Sequence, residues 1–209
     1  MAIFDGAGRE ALARVASVTP RGVSVQVIEP RPAAAESRVP VTLAQALLKS
    51  DKMDRVIRDA VMLGVAGVQP FVSRRADVPM KAMKQGGRQE RWERMVLASV
   101  KQCGRAVVPP VHPVRELGAL LREQPAGASH LMFVEPGTAA GVANVTVLEG
   151  LQPSSAVVFI GPEGGWDPEE LADAAAAGVQ LLSLGERVLR ADAAGAAVLS
   201  VLRYVWRDL

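Results

Sequence analysis

Cysteine and histidine are nearly missing from this 209-residue chain, which holds one Cys, Cys103, and two His, His112 and His130. A single thiol cannot close an internal disulfide, and so few ligands all but exclude a structural zinc site. No run approaches the roughly 18 apolar residues that a membrane helix needs. Asp5, Arg9 and Glu10 come too early for a charged-then-apolar signal peptide. What the chain does have is 49% hydrophobic and 22% charged residues, enough for a sizeable core and unlike a disordered segment. The expectation is a reduced, cytoplasmic α/β protein with one large domain, or a main domain and a small appendage.

The formal net charge of +2 hides an uneven distribution. Residues 74–105 carry nine Lys/Arg against three Asp/Glu, whereas residues 106–190 carry four against ten. Arg74, Arg75, Lys81, Lys84, Arg88, Arg91 and Arg94 could form a nucleic-acid surface, because a basic block of this kind neutralises several phosphates. The same block could equally be a solvated helix face.

Residues 8–29 alternate apolar and polar around Pro20-Arg21-Gly22, which predicts a β-hairpin. Glu29-Pro30-Arg31-Pro32 and the Ala/Ser-rich stretch after it read as a linker. Beyond residue 40 strands alternate with helices. Strands are expected at Val41–Leu48, Val68–Val72, Leu131–Val134, Ala156–Ile160 and Val179–Leu184. Helices are expected at Asp51–Leu63, 88–102, Val114–Leu121, from Asp167, and over 192–206. Asp167-Pro168-Glu169-Glu170 combines an Asp N-cap, Pro at N1 and Glu at N3. Such alternation implies a mainly parallel sheet covered on both faces. Trp92 and Cys103 read as core residues, and both histidines as structural.

Ligands of open α/β sheets bind beyond the carboxyl ends of the strands. Three loops fall there: Val134–Gly137, Ile160-Gly161-Pro162-Glu163-Gly164-Gly165, and Ser183-Leu184-Gly185-Glu186-Arg187-Val188-Leu189-Arg190. The second follows neither G-x-G-x-x-G nor the phosphate-binding Gly-Lys-Ser/Thr pattern. A tight strand-to-helix turn explains one or two of its glycines, but not all three with Glu163 between them. Glycine permits close approach of a second backbone or of a ligand.

Gly161-Pro162-Glu163-Gly164-Gly165-Trp166 with Pro168-Glu169-Glu170, followed by Leu184-Gly185-Glu186-Arg187-Val188-Leu189-Arg190, resembles the RsmE-type ribosomal RNA methyltransferases of the SPOUT superfamily. Lys52-Met53, Leu63-Gly64-Val65, Arg91-Trp92 and Gln102-Cys103-Gly104-Arg105 are similar to further blocks of that family, so the likeness covers about residues 41–206. It implies an α/β domain with a trefoil knot, S-adenosylmethionine as methyl donor, a homodimer, and methylation at N3 of a uridine in small-subunit (16S) ribosomal RNA, with neither metal nor membrane required. It further implies that Glu135, Ile160, Gly161, Gly164, Gly165, Leu184, Gly185, Val188 and Leu189 hold the donor. Uridine N3 must lose a proton before it attacks. Glu163 or Asp192 is the candidate base and Arg190 the stabiliser of the charge that spreads over the uracil carbonyls. Glu163 could instead hold its loop through backbone N–H groups.

The chain departs from the pattern twice. Ala191-Asp192-Ala193-Ala194 stands where the family continues Glu-Thr-Ala, so the acid is one methylene shorter and a hydroxyl is gone. The family also opens with a PUA-like barrel, and Ala2-Ile3-Phe4-Asp5-Gly6 resembles the middle of one. Residues 1–36 are therefore expected to be a truncated PUA-like remnant and 37–209 the SPOUT domain. A non-catalytic RNA-binding or ribosome-assembly protein with the same fold, and an unrelated cofactor enzyme such as a dehydrogenase, are the rival readings; the missing G-x-G-x-x-G speaks against the latter.

Overall fold

The computed structural model describes residues 1–78, 87–138 and 141–208. Its N-terminal part is a three-stranded antiparallel sheet of β1 (Ala2–Phe4), β2 (Glu10–Thr19) and β3 (Gly22–Arg31), in the order β1-β2-β3. The predicted hairpin forms, with Thr19 paired to Gly22 at its tip. The expected linker starts later than the sequence suggested, because Glu29, Pro30 and Arg31 belong to β3. Proline is tolerated there because β3 pairs on one side only, so its missing N–H breaks no second ladder. The base of the hairpin docks on the main body: the Val108 N–H donates to Gly6 O at 2.9 Å, and the Gly8 N–H to Ala106 O at 3.1 Å.

The main body is a seven-stranded parallel sheet. Its strands are β4 (Val41–Ala46), β5 (Gly67–Val72), β6 (Arg115–Glu116), β7 (Ser129–Phe133), β8 (Ala143–Asn144), β9 (Ala156–Ile160) and β10 (Gln180–Ser183), in the order β6-β5-β4-β9-β7-β10-β8. The central strands are apolar on both faces, as strands covered by helices must be. Their period of two divides the core. Val41, Leu43, Leu131, Val158 and Ile160 point to one face, beneath α1 (Lys52–Met62), α2 (Arg88–Cys103) and α5 (Ala191–Val205). Ala44, Met132 and Phe159 point to the other, beneath α3 (Leu117–Arg122) and α4 (Pro168–Ala176).

Most predicted elements lie within one or two residues of their expected bounds. The helix expected at Val114–Leu121 is an exception: Arg115–Glu116 first pairs with Phe71–Val72 as β6, and the helix runs over Leu117–Arg122. His130 lies inside β7 rather than before it; burial pushes its imidazole pKa down, and its Nε2 has no hydrogen-bond partner. Trp92 is core, whereas Cys103 is only half-buried at the end of α2.

At the amino edge of the sheet two buried arginines close the end of α1. Arg105 donates to Val61 O (2.9 Å), Val65 O (3.1 Å) and the Glu36 carboxylate. Arg203 donates to Val39 O and Gly64 O, both at 2.8 Å, and to Asp208 at 2.6 Å. These guanidiniums satisfy carbonyls that a helix end leaves orphaned. No helix among the described residues is long and apolar enough to cross a membrane.

Candidate active site

The carboxyl ends of β7, β9 and β10 open into a cavity of about 330 Å³, within the usual range for small-molecule sites of roughly 300–1,000 Å³. The starts of α1 and α5 close its side. Phe133, Ile160, Leu184, Ala194 and Val198 supply apolar wall, while Lys52, Glu135, Glu163, Arg187, Arg190 and Asp192 supply charge. Of the residues expected to hold the donor, Glu135, Ile160, Gly161, Leu184, Val188 and Leu189 line it. Val188 is 71% exposed and Leu189 41%, so two large apolar side chains stand open to solvent at the mouth.

Gly164, Gly165 and Gly185 are not part of the lining. The first two instead let three chain segments nest. A Cβ on Gly164 would lie 2.9 Å from the Arg75 carbonyl oxygen, and one on Gly165 would lie 3.1 Å from Glu135 Oε1. Gly165 also has φ +70°, a left-handed conformation that glycine adopts without strain. A Cβ on Gly161 would meet the Trp166 ring at 3.0 Å. That indole stacks on Phe71 at 6.0 Å, and its Nε1–H donates to Phe133 O at 2.8 Å, tying the glycine turn to the end of β7. The Asp167 cap then starts α4: its side chain accepts from the Glu169 N–H, and the Glu170 carboxylate accepts from the Asp167 N–H.

The three expected catalytic residues all line this cavity. Arg190, the residue before α5, grips Asp192 with both ends of its guanidinium: Nε donates to Oδ1 at 2.9 Å and Nη2 to Oδ2 at 2.8 Å. Asp192 is 4% exposed and lies in the first turn of α5, where a helix favours a negative charge. The Arg190 hydrogen bonds hold its carboxyl below the usual carboxylate range against the opposing pull of burial, and Arg55 adds its charge from 3.5 Å. The same pair pushes the Arg190 pKa up. Glu163 accepts from Lys52 Nζ at 3.0 Å. Lys52 and Arg55 were not among the expected site residues. They come from the start of α1, more than 100 residues away in the chain, and only the Lys52-Met53 likeness pointed there.

Gln45, fully buried at the end of β4, has an Oε1 without a partner; its Nε2 donates to Ala46 O at 3.2 Å. The Oε1 stands 3.5 Å from where a Cβ on Gly195 of α5 would stand, while the Nε2 faces Gly161 O, also at 3.5 Å.

The basic residues read as a nucleic-acid surface fall into two groups. Arg74 pairs with Glu169, and Arg75 with Asp167 at 3.4 Å, both at the start of α4. Arg88, Arg91 and Arg94 lie on α2, where Arg91 pairs with Asp54 of α1. Lys81 and Lys84 lie outside the described residues. Among the described residues no cluster of three or more His, Cys, Asp or Glu is arranged to hold a metal ion.

A family model described as the RNA methyltransferase domain matches residues 35–203. The chain is 30% identical over 206 residues to ribosomal RNA small subunit methyltransferase E of Mycobacterium bovis, covering 97% of this chain and 77% of that protein. It is 31% identical over 156 residues to the Synechocystis protein of the same name, and there spans only half of that relative's length. Two solved structures are similar along almost the whole chain. One is the Neisseria gonorrhoeae ribosomal RNA small subunit methyltransferase E bound to S-adenosyl methionine (TM-score 0.88, 28% identity, 99% of this chain and 83% of that one). The other is a putative methyltransferase of Legionella pneumophila with bound SAM (TM-score 0.87, 28% identity, 97% and 81%). A parallel α/β body with its cavity between glycine turns, matched over most of its length in sequence and in shape, leaves one assignment: the chain belongs to the RNA methyltransferase domain family, and within it to the ribosomal RNA small subunit methyltransferases E.

Proposed function

We propose that this chain is an S-adenosylmethionine-dependent methyltransferase that modifies N3 of a uridine in small-subunit (16S) ribosomal RNA, acting in the cytoplasm as a homodimer. The observation that carries this reading is the cavity at the carboxyl edge, where Glu163 and the Arg190–Asp192 pair line the same space as an apolar wall. Its composition fits the donor. Phe133, Ile160 and Leu184 offer a flat ring apolar surface, Glu135 offers a carboxylate to a sulfonium, and Arg187 offers a cation to an amino-acid carboxylate. S-adenosylmethionine supplies a methyl already activated by positive sulfur.

The chain's own residues do the rest. Of the two candidate bases, Asp192 is the weaker, because Arg190 occupies both of its oxygens and holds it ionised. Glu163 takes the N3 proton on a carboxylate oxygen, with Lys52 fixing the carboxylate over the cavity. Arg190, aimed by Asp192, faces the negative charge that develops on the uracil oxygens. The apolar wall excludes water from the methyl.

Further features support the finer reading. Strand β10 lies between β7 and β8, both earlier in the chain, so its approach and the 184–190 turn are where a knot would be threaded. The separate β1-β2-β3 sheet is consistent with PUA-like structure over 1–36 preceding a SPOUT domain over 37–209. Val188, Leu189 and the exposed Ala193, Ser200 and Tyr204 on one side of α5 offer a surface for a second copy.

The test is transfer of radiolabelled methyl from S-adenosylmethionine to small-subunit ribosomal RNA, free and in assembled subunits, with the product mapped by mass spectrometry. N3-methyluridine is the expected product. Label at another position or on another polymer, or RNA binding without transfer, would overturn the assignment.

A further inference from the structure

Three arginines stand out along the rim because of what lies beneath them. The side chains of Arg190, Arg55 and Arg91 are 72%, 59% and 59% exposed, while the carboxylates they pair with are almost wholly buried, Asp192 at 4% and Asp54 at 8%. Asp192 anchors both Arg190 and Arg55, and Asp54, the neighbour of Arg55 on α1, anchors Arg91 from α2. The three cations therefore follow one line from the cavity across the start of α1 to α2. A guanidinium carries five N–H donors, and a carboxylate engages at most a few of them. Each arginine thus pairs with an acid beneath it while its own side chain stays more than half exposed, and those acids present almost no negative surface to repel an anion.

Arg74 and Arg75 differ on this point. Arg74 pairs with Glu169, whose side chain is 72% exposed, so any phosphate approaching it also meets an open carboxylate. The α1 face continues the basic line instead: Lys52, Arg55 and Arg58 are spaced three apart on the side turned away from the buried Met53, Val56, Ile57 and Ala60. Asp59, half-buried on the same side, and Asp51, exposed at the N-cap, are the acids that face them from their own helix.

We propose that this line is the phosphate track of the RNA substrate: Arg55 and Arg91 bind the ribose-phosphate backbone flanking the target nucleotide and so deliver its base to the cavity. Arg55 is the central residue, because it shares Asp192 with Arg190 and links the backbone contact to the reacting base. The inference rests on the methyltransferase reading above. It adds which residues hold the substrate and where the strand runs.

The experiment measures binding of a fluorescent transcript of small-subunit ribosomal RNA to the full chain and to R55A, R91A and R55K at several salt concentrations. S-adenosylmethionine affinity by calorimetry and thermal midpoints are measured in parallel. R55A leaves Asp192 paired with Arg190, so it keeps the fold even if R91A, which strands Asp54, does not. The expected result for R55A is RNA binding weakened roughly tenfold, as for loss of a charge-assisted contact. The slope of log K against log salt should fall by about 0.7, one single-strand phosphate contact. Donor affinity should not change, and R55K should recover most of the loss. Unchanged RNA affinity and salt slope in R55A would overturn the inference. So would a change in oligomeric state by sedimentation without a change in RNA affinity, which would make this face a contact between copies. If the wild type transfers no methyl to RNA, the methyltransferase reading itself fails, an outcome distinct from both.

Discussion

Replacing Gly164 by alanine probes the packing of the site without touching a charged group. The added Cβ would lie 2.9 Å from the Arg75 carbonyl oxygen, where ordinary contact begins at 3.4 Å, so roughly 0.5 Å must be found. The obstacle is backbone, and no side-chain rotation relieves it. Arg75 is itself held by Asp167 at 3.4 Å and lies in the turn closed by the Ala76 N–H on Ser73 O. Overpacking of this kind costs about 1–3 kcal/mol. At about 2–4 °C per kcal/mol for a chain of this size, the thermal midpoint should fall by roughly 2–12 °C. The displaced turn carries Glu163. Misplacing a reacting group by 1 Å can cost about a hundredfold, so half that displacement should lower turnover by about tenfold. Gly118→Ala in α3 is the control, because its nearest neighbour is the flexible end of Arg122 at 3.4 Å. That change should raise stability by about 0.5–1 kcal/mol through helix propensity. Scanning fluorimetry and single-turnover methyl transfer read both effects. A G164A protein that melts with the wild type and turns over at its rate would show that the nesting of the two segments is not what the glycine is for.

Other outcomes follow from the same geometry. Arg190→Ala should lower methyl transfer by about a hundredfold or more while donor affinity stays within a few-fold, measured by single-turnover kinetics and calorimetry; equal losses in both would make Arg190 a donor-binding residue. Trp166→Phe removes the donor to Phe133 O and should cost about 1–3 kcal/mol in urea unfolding, because that carbonyl is buried. Asp192 has a lowered pKa in the folded chain, so its stabilising effect is complete above the unfolded value of about 4 and fades as pH falls through the lower folded value. The stability gap between the wild type and D192N should therefore narrow from about pH 4 downward, and a gap that widened there would contradict the ion pair.

Local chemistry was legible in the sequence and long-range pairing was not. The Asp167-Pro168-Glu169-Glu170 start of α4 was readable because every partner in the capping box lies within three residues. The Arg190–Asp192 grip spans two residues, and its members were expected in one site, although Asp192 was considered as a base rather than an anchor. Lys52 and Arg55 reach the rim only because the sheet sets the start of α1 beside the end of β9, which no spacing within either segment records. The glycines were singled out for the close approach of a second backbone or of a ligand; Gly164 and Gly165 make room for Arg75 and Glu135, partners that no spacing within the glycine turn records. The extension of β3 through Pro30 was hidden because a proline marks a linker unless the strand is known to be an edge.

The arginine closures at the amino edge bear on how the molecule could be strengthened. Arg105 and Arg203 together bind Glu36, Asp208 and the carbonyls of Val39, Val61, Gly64 and Val65, which staples the entry to β4, the exit of α1 and the tail of α5 at the pole farthest from the cavity. Buried ionic closures are thus concentrated away from the proposed site, while the rim of that site is knit by ionic contacts whose arginines are open to water. An engineer seeking a hardier protein would reinforce the stapled pole and leave the other rim free to yield, since gains made at a site proposed to admit a strand of RNA tend to be repaid in lost turnover.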